Sequence, residues 1–207
     1  MKVCVISDTH GLLPENIPDS DVLIHCGDFT PHANFNNQLN WLRTDFRLWL
    51  EKLNRPTYIN FGNHELLFEK FPYLVPPLPC KFLKDQQIDI SGEKVWFSPW
   101  ILPIGEWAFM REEPQLDLIY SQIPDNTTII VSHCPPYNHG DLTIHDDKIG
   151  TKSLVKHAKR MKKLKYILTG HCHEGYGSYK LNNINVLNCS LLNENYKLTN
   201  LPTIIEI

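Results

Sequence analysis

The sequence predicts an α/β fold made of two stacked β-sheets flanked by helices. Three observations predict it. Short β-branched and apolar runs alternate with helix-patterned stretches along the chain. Several of these runs are unbroken apolar segments, as expected for parallel strands covered on both faces. The stretch from Gly177 to Ile207 is strand-rich without intervening helix, which points to a second sheet packed on the first.

The elements follow in order. Lys2 to Ser7 and Val22 to His25 read as buried parallel strands. Between Asn37 and Leu53 the residues Leu39, Trp41, Leu42, Phe46, Leu48, Trp49 and Leu53 recur at helical spacing and predict one helix. Thr57 to Asn60 is a strand, and a short helix follows Glu65. Gln87 to Phe97 reads as a hairpin turning at Ser91-Gly92. Thr128 to Ser132 is a strand, Thr151 to about Lys163 a helix, and Tyr166 to Leu168, Asn185 to Leu187 and Thr203 to Glu206 are strands. No repeat or linker interrupts the pattern, so residues 1–207 read as one domain.

Composition sets the outer limits. Of the 207 residues, 42% are hydrophobic and 21% charged, an ordinary globular balance, and the net charge of -3 gives no global pull toward nucleic acid or an acidic membrane surface. Met1-Lys2 runs straight into the first strand without a signal-peptide pattern. No run reaches the roughly 18 apolar residues of a membrane span. Six cysteines in such a chain suit a reducing, cytoplasmic setting, where the sequons at Asn126 and Asn188 carry no meaning. The basic stretch from Lys148 to Lys165 reads as a solvated helix face; it lacks the interleaved aromatics of single-strand binding, so no stable nucleic-acid complex is expected.

Five motifs rich in metal-ligating residue types punctuate this frame: Asp8-Thr9-His10, Gly27-Asp28, Gly62-Asn63-His64-Glu65, Ser132-His133 and Gly170-His171-Cys172-His173. Most follow a predicted strand, and ligands of open α/β sheets bind outside the carboxyl ends of the strands. Strand-then-ligand, repeated, gathers the side chains into one cluster. In extended backbone, Asp8 and His10 would point the same way, as would His171 and His173. A glycine before Asp28, Asn63 and His171 lets the backbone come close. A lone histidine in a turn is commonly just solvated; the conjunction of carboxylates, an amide and imidazoles reads as a two-metal hydrolytic site. Nitrogen and oxygen donors suit Mn, with Fe, Zn, Co or Ni as alternatives.

These motifs, in this order, resemble the calcineurin-like metallophosphoesterase superfamily. Further segments are similar to its metallophosphoesterase-domain-containing branch: His25-Cys26-Gly27-Asp28-Phe29-Thr30, Ser98-Pro99-Trp100, Trp107-Ala108-Phe109 and His133-Cys134-Pro135-Pro136. The resemblance covers Lys2 to Ile207. It implies a four-layer α/β/β/α sandwich. It also implies one cation held by Asp8, His10 and His173, a second by Asn63, His133 and His171, and Asp28 bridging them. His64 would stand beside the substrate without binding metal. Retention of His173 favours activity. Pro31 and His32 stand where the family's protein phosphatases carry Asp and Arg, which counts against that branch.

The expected chemistry is hydrolysis by a hydroxide shared between two cations, attacking phosphorus in line with no covalent intermediate. His64 would hydrogen-bond a phosphoryl oxygen or protonate the leaving oxygen. The expected substrate is a small phosphodiester such as a cyclic nucleotide. A phosphomonoesterase or nucleotidase is the near alternative, and a non-catalytic metal-binding scaffold the distant one. His139 and Trp100 are candidate substrate contacts, with Asp141, Trp107 and Tyr137 nearby in sequence. Glu65 reads as a helix-start charge, Glu174 and Tyr176 as supports for the ligands, His25 and His32 as structural, and Cys26, Cys134 and Cys172 as small buried hydrophobes. Oligomeric state is open.

Overall fold

Val3 and Val5 point to one side of the first strand and Cys4 and Ile6 to the other, and all four are fully buried. This two-residue alternation explains the layering of the whole molecule. The computed structural model describes Met1–Ile207. Its strands are β1 (Lys2–Ile6), β2 (Val22–His25), β3 (Thr57–Asn60), β4 (Lys81–Leu83), β5 (Gln86–Ile90), β6 (Glu93–Ser98), β7 (Ile129–Ser132), β8 (Tyr166–Thr169), β9 (Gly177–Leu181), β10 (Ile184–Asn188) and β11 (Thr203–Glu206). One sheet has the order β11-β1-β2-β3-β4, the other β5-β6-β7-β8-β10-β9. β1 to β4 run parallel, as do β6, β7, β8 and β10; β11, β5 and β9 are antiparallel edges.

Three apolar clusters fill the three gaps of a four-layer stack. Between the sheets lie Val3, Val5, Val22 and Ile24 from one side and Val95, Phe97, Ile129, Val131 and Leu168 from the other. The outer face of the first sheet, with Cys4, Ile6, Leu23 and Ile59, is covered by Leu39, Leu42, Phe46, Leu50 and Leu67. These come from α1 (Phe35–Trp41), a π turn (Leu42–Phe46), α2 (Arg47–Leu53) and α3 (Leu66–Lys70). The outer face of the second sheet, with Trp96, Ile130, Ile167 and Val186, is covered by Leu116, Tyr120, Leu154 and Ala158 of α4 (Glu113–Ser121) and α5 (Lys152–Ala158). The expected α/β/β/α sandwich is the observed one.

Several details differ from expectation. The Asn37–Leu53 helix begins earlier, capped by the Asn34 side chain accepting from the Asn37 N–H at 3.0 Å, and is interrupted by the π turn. The wider turn lets Leu39, Leu42, Phe46, Trp49 and Leu50 all reach the sheet. The Thr151–Lys163 helix stops at Ala158, and the chain folds back so that Met161 and Leu164 bury their side chains. The C-terminal strand-rich stretch does not form the second sheet by itself: β9 and β10 join it, while β11 returns to pair with β1.

The fold puts the carboxyl ends of β1, β2 and β3 beside those of β7 and β8. A parallel bridge between Ser7 and Ser190, and the Leu191 N–H donating to the Ser7 carbonyl at 2.9 Å, tie the two sheets together at that end. Phe46 anchors the helical layer over the first sheet, stacked 4.7 Å from Trp41, 5.8 Å from Trp49 and 5.4 Å from Phe29. Phe46→Ala is predicted to cost about 3–5 kcal/mol in urea denaturation, a fall in Tm of roughly 6–20 °C. A loss under about 1 kcal/mol would show that this layer does not carry the packing described.

Candidate metal centre

Most of the site's key loops leave their strands by an abrupt left-handed step. Asp8, His10, Asp28 and His171 have φ of 53°, 44°, 55° and 67°. Such angles are sparsely populated for residues with a Cβ and gather at functional sites. Asp8 and His10, and His171 and His173, therefore do not converge through extended alternation as their spacing suggested; the turns aim them. Two glycines make the close approach feasible. A Cβ on Gly62 would collide with the Asp28 carboxylate and the His133 ring, and one on Gly170 with the Ser7 hydroxyl and the Asp8 carboxylate.

The seven expected ligands come together in two groups. Ligating atoms of Asp8, His10 and His173 lie within 4.8 Å of one another, as do those of Asp28, His133 and His171. In the first group His10 Nε2 is 3.2 Å from His173 Nε2, and Asp8 Oδ1 is 3.6 Å from His173 Nε2. In the second, His133 Nε2 is 3.2 Å from Asn63 Oδ1, and the His133 and His171 rings are 5.1 Å apart. Asp28 Oδ2 stands between the groups, 4.0 Å from His10 Nε2 and 3.3 Å from His133 Nε2. His64 Nε2 is 3.8 Å from the same oxygen, and its backbone N–H donates to Asp28 Oδ1 at 2.8 Å.

Outer contacts fix the inner geometry. His133 Nδ1 donates to the Cys26 carbonyl at 3.2 Å and His173 Nδ1 to the Asn193 carbonyl at 3.0 Å, which turns each Nε2 toward the centre. Both Asp8 oxygens accept the His171 N–H at 3.0 Å, and the Ser190 hydroxyl donates to Oδ2 at 2.8 Å. Burial works against ionising Asp8 and Asp28. For Asp8 the hydrogen bond from His173 and the His133 and His173 charges prevail, and for Asp28 the His133 and His64 charges do, holding both carboxyls well below the usual carboxylate range. Burial also opposes charge on His133 and His173, but Asp28 raises His133 to about 9 and Asp8 raises His173 to about 9. Burial lowers His10 to about 4 and His171 to about 3, and lowers His64 as well.

Glu65 is the residue the sequence misread. It makes no side-chain cap on α3. Fully buried, its carboxylate accepts the backbone N–H groups of Gly62 (2.6 Å), Asp28 (2.9 Å), Phe29 (3.0 Å) and Thr30 (3.0 Å), and the Thr30 hydroxyl (3.0 Å). It clasps the two loops that carry Asp28 and Asn63. Burial, then the Asp28 charge, pushes its carboxyl up to about 7, against those N–H bonds.

The residues fit a pair of divalent cations. Asp8 and Asp28 are 0% and 2% exposed, and only histidines make ion pairs with them. Buried carboxylates without a fixed cation are costly. His10 Nδ1 is buried without a hydrogen-bond partner. Mixed imidazole, carboxylate and amide donors suit first-row dications.

Other expectations need correction. Trp100 is core: it is 6% exposed, its indole N–H donates to Asp85 at 2.8 Å, and Arg111 stacks on it at 4.2 Å. Trp107 meets the site instead, 4.4 Å from the His64 ring, placed there by the Ala108 N–H donating to the Asn63 carbonyl at 3.0 Å. His139 belongs to neither ligand group; its Nδ1 donates to the Tyr137 carbonyl of its own turn at 2.8 Å. Asp141 is buried and braces that loop through the Gly150 N–H. Glu174 does not orient a ligand ring but receives the Ile144 N–H. His32, read as structural, lies at the mouth, 4.4 Å from the His64 ring. His25 is structural as expected, bonded to Thr9 Oγ1 at 3.1 Å. Tyr196 was not anticipated: half exposed and with φ of 56°, it lies 4.9 Å from His10 and 5.1 Å from His173. Asn188, the first residue of a sequon, donates from buried Nδ2 to the carbonyls of Gly140, Gly170 and Cys172 and accepts the Ser190 N–H, which positions the Ser190 hydroxyl on Asp8. The one local signal for Asn188 and Ser190 was their place after a strand.

Glu65→Gln tests the clasp. Its amide N–H₂ would face backbone donors, leaving N–H groups unsatisfied at about 1–3 kcal/mol each. Metal affinity is predicted to weaken about 10- to 100-fold, read as a smaller rise in Tm when Mn is added to stripped protein. An unchanged Mn-induced rise would refute the role assigned to Glu65.

The chain is similar to known proteins along nearly its whole length. The human metallophosphoesterase domain-containing protein 1 is 28% identical over 99% of this chain and 70% of its own length. The UPF0046 protein T07D4.2 of Caenorhabditis elegans is 28% identical over 99% of this chain, which spans 59% of the length of that relative. Among solved structures, a dimetal phosphatase from Danio rerio shares the fold, with a TM-score of 0.57 at 10% identity over 90% of this chain and 86% of that one. No helix is long and apolar enough to cross a membrane. With residues 1–175 matching the family described as calcineurin-like phosphoesterase, the chain belongs to that family of metal-dependent phosphoester hydrolases.

Proposed function

We propose that the protein is a dinuclear phosphodiesterase acting on small phosphodiesters, cyclic nucleotides among them, with Mn as its metal and Fe, Zn, Co or Ni as substitutes. Asp8, His10 and His173 would hold one ion and Asn63, His133 and His171 the other, with Asp28 between the two groups. The observation that carries the diester reading is the mouth of the site. Its rings are His32, His64, Trp107 and Tyr196. Such an aromatic rim suits an ester that carries a planar substituent beside the phosphorus. Trp107 and Tyr196 offer the faces on which a nucleobase stacks.

When bound, two dications neutralise phosphoryl charge and lower the pKa of an attacking water. The chain's own residues do the rest. Asp28, locked by the His64 N–H and framed by the Glu65 clasp, fixes the spacing of the two groups. His64, whose side chain is 9% exposed, is held edge-on to His10 with centroids 4.4 Å apart. As the water oxygen, its proton released to solvent, bonds to phosphorus and the ester P–O bond breaks, the leaving oxygen takes a proton from the His64 ring, which regains one from solvent. Poor leaving groups depend most on this transfer.

The deciding assay compares bis-p-nitrophenyl phosphate, p-nitrophenyl phosphate and 2′,3′-cyclic AMP on stripped protein reloaded with Mn. Diester turnover that requires Mn and disappears in Asp28→Asn is the expected result. Faster monoester turnover would move the assignment to phosphomonoesterase, and two bound ions without turnover on any ester would leave a metal-binding scaffold. His64→Ala is predicted to keep both ions, counted by mass spectrometry, while kcat falls about 10²- to 10⁴-fold. Loss of an ion in that variant would make His64 a ligand.

A further inference from the structure

His32 stands where the centre opens to solvent. Its ring is exposed and lies 4.4 Å from His64 and 5.9 Å from His10. It sits between Trp107 at 6.1 Å and Tyr196 at 5.9 Å. Nitrogens of His10, His32 and His64 lie within 4.8 Å of one another. The backbone beneath is fixed: Gln38 Nε2 donates to the Pro31 carbonyl at 3.0 Å, and Thr30 is held in the Glu65 clasp. His32 is thus held in place while its ring makes no hydrogen bond within the protein.

A cation and an anion are the two ligands such a trio would take. The trio contains no carboxylate and borders two cation sites, so another dication there would meet like charge. An anion drawn to the centre meets imidazole donors on its outer side. We infer that His32 contacts the substrate: with His64 it holds the outer phosphoryl oxygens, and as an imidazole rather than a permanent cation it sets the preference for singly charged diesters. This rests on the phosphoesterase reading above. It adds the residue that separates diester from monoester.

The test uses full-length Mn-loaded protein at pH about 8, above the second phosphate ionisation. His32→Ala and His32→Arg are compared with the parent chain. Two readouts are taken: KM and kcat on bis- and mono-p-nitrophenyl phosphate, and calorimetric affinity for dimethyl phosphate and inorganic phosphate. His32→Ala is expected to raise the diester KM roughly 10-fold with a smaller effect on kcat. His32→Arg is expected to raise the monoester-to-diester ratio of kcat/KM, and the ratio of phosphate to dimethyl phosphate affinity, by about 10-fold or more. Both variants should keep two ions per chain. Ratios unchanged in His32→Arg, or an ion lost in His32→Ala, would overturn the proposal. A parent chain without turnover, whose anion affinities still respond as stated, would sink the enzyme reading and leave the His32 contact standing.

Discussion

Two carboxylates, Asp8 and Asp28, are buried at the end of a sandwich with only histidines as ion-pair partners. The rest of the structure is organised around that constraint. A buried anion must be paired and hydrogen-bonded. Asp8 accepts the His171 N–H and the Ser190 hydroxyl, and Asp28 accepts the His64 N–H. These bonds satisfy part of each carboxylate and leave the remaining charge facing imidazole nitrogens. That remainder is what a pair of dications answers, and the loops, the glycines and the Glu65 clasp all serve to present it.

The centre also depends on the fit between the sheets. Asp8, Asp28 and Asn63 leave the first sheet, His133 and His171 the second, so the distance between the two groups is set by the apolar layer of Val3, Val5, Phe97, Val131 and Leu168. Interiors are packed like solids and transmit small displacements. The left-handed turns at Asp8, His10, Asp28 and His171 are strained conformations that persist only where the surroundings over-determine them. Here the surroundings are backbone bonds between loops: Asp8 N–H to the Gly27 carbonyl, His10 N–H to that of Asp28, and Gly170 N–H to that of His133. Core packing and site geometry are one mechanical system.

What the sequence revealed follows from this. That the seven candidate ligands gather at one end was legible because their motifs follow strands or glycines, and parallel strand ends converge. The sandwich was legible from unbroken apolar runs such as Val3 to Ile6 and Ile129 to Val131. What stayed hidden was non-local or locally blurred. Glu65 looks like a helix-start charge until Asp28, Phe29 and Thr30 are brought against it from 35 to 37 residues away. Trp100 and Trp107 are equivalent as sequence; only the bond from Ala108 to Asn63 turns one toward His64. The α4 helix escaped notice because Leu118, 68% exposed, breaks the stripe made by Leu116 and Tyr120. Tyr196 carries no pattern at all; the turn beginning at Asn193, whose carbonyl orients His173, is what brings it over the site.

The centre and its mouth obey different physics. Inside, seven candidate ligands, a clasp and two carbonyl acceptors are so interlinked that a change in one displaces several. Two dications held against Asp8 and Asp28 would leave a net positive site that attracts a phosphoester. Under the proposed function, discrimination would fall to groups at the mouth that touch the ester but not the metals. His32, Trp107 and Tyr196 are the side chains the fold places there, exposed or partly exposed. His64 lies between the two regimes, tied by its backbone to Asp28 and by its ring to Trp107 and His32. Under the proposed mechanism, selection at the rim and proton transfer at the centre would meet in that one side chain.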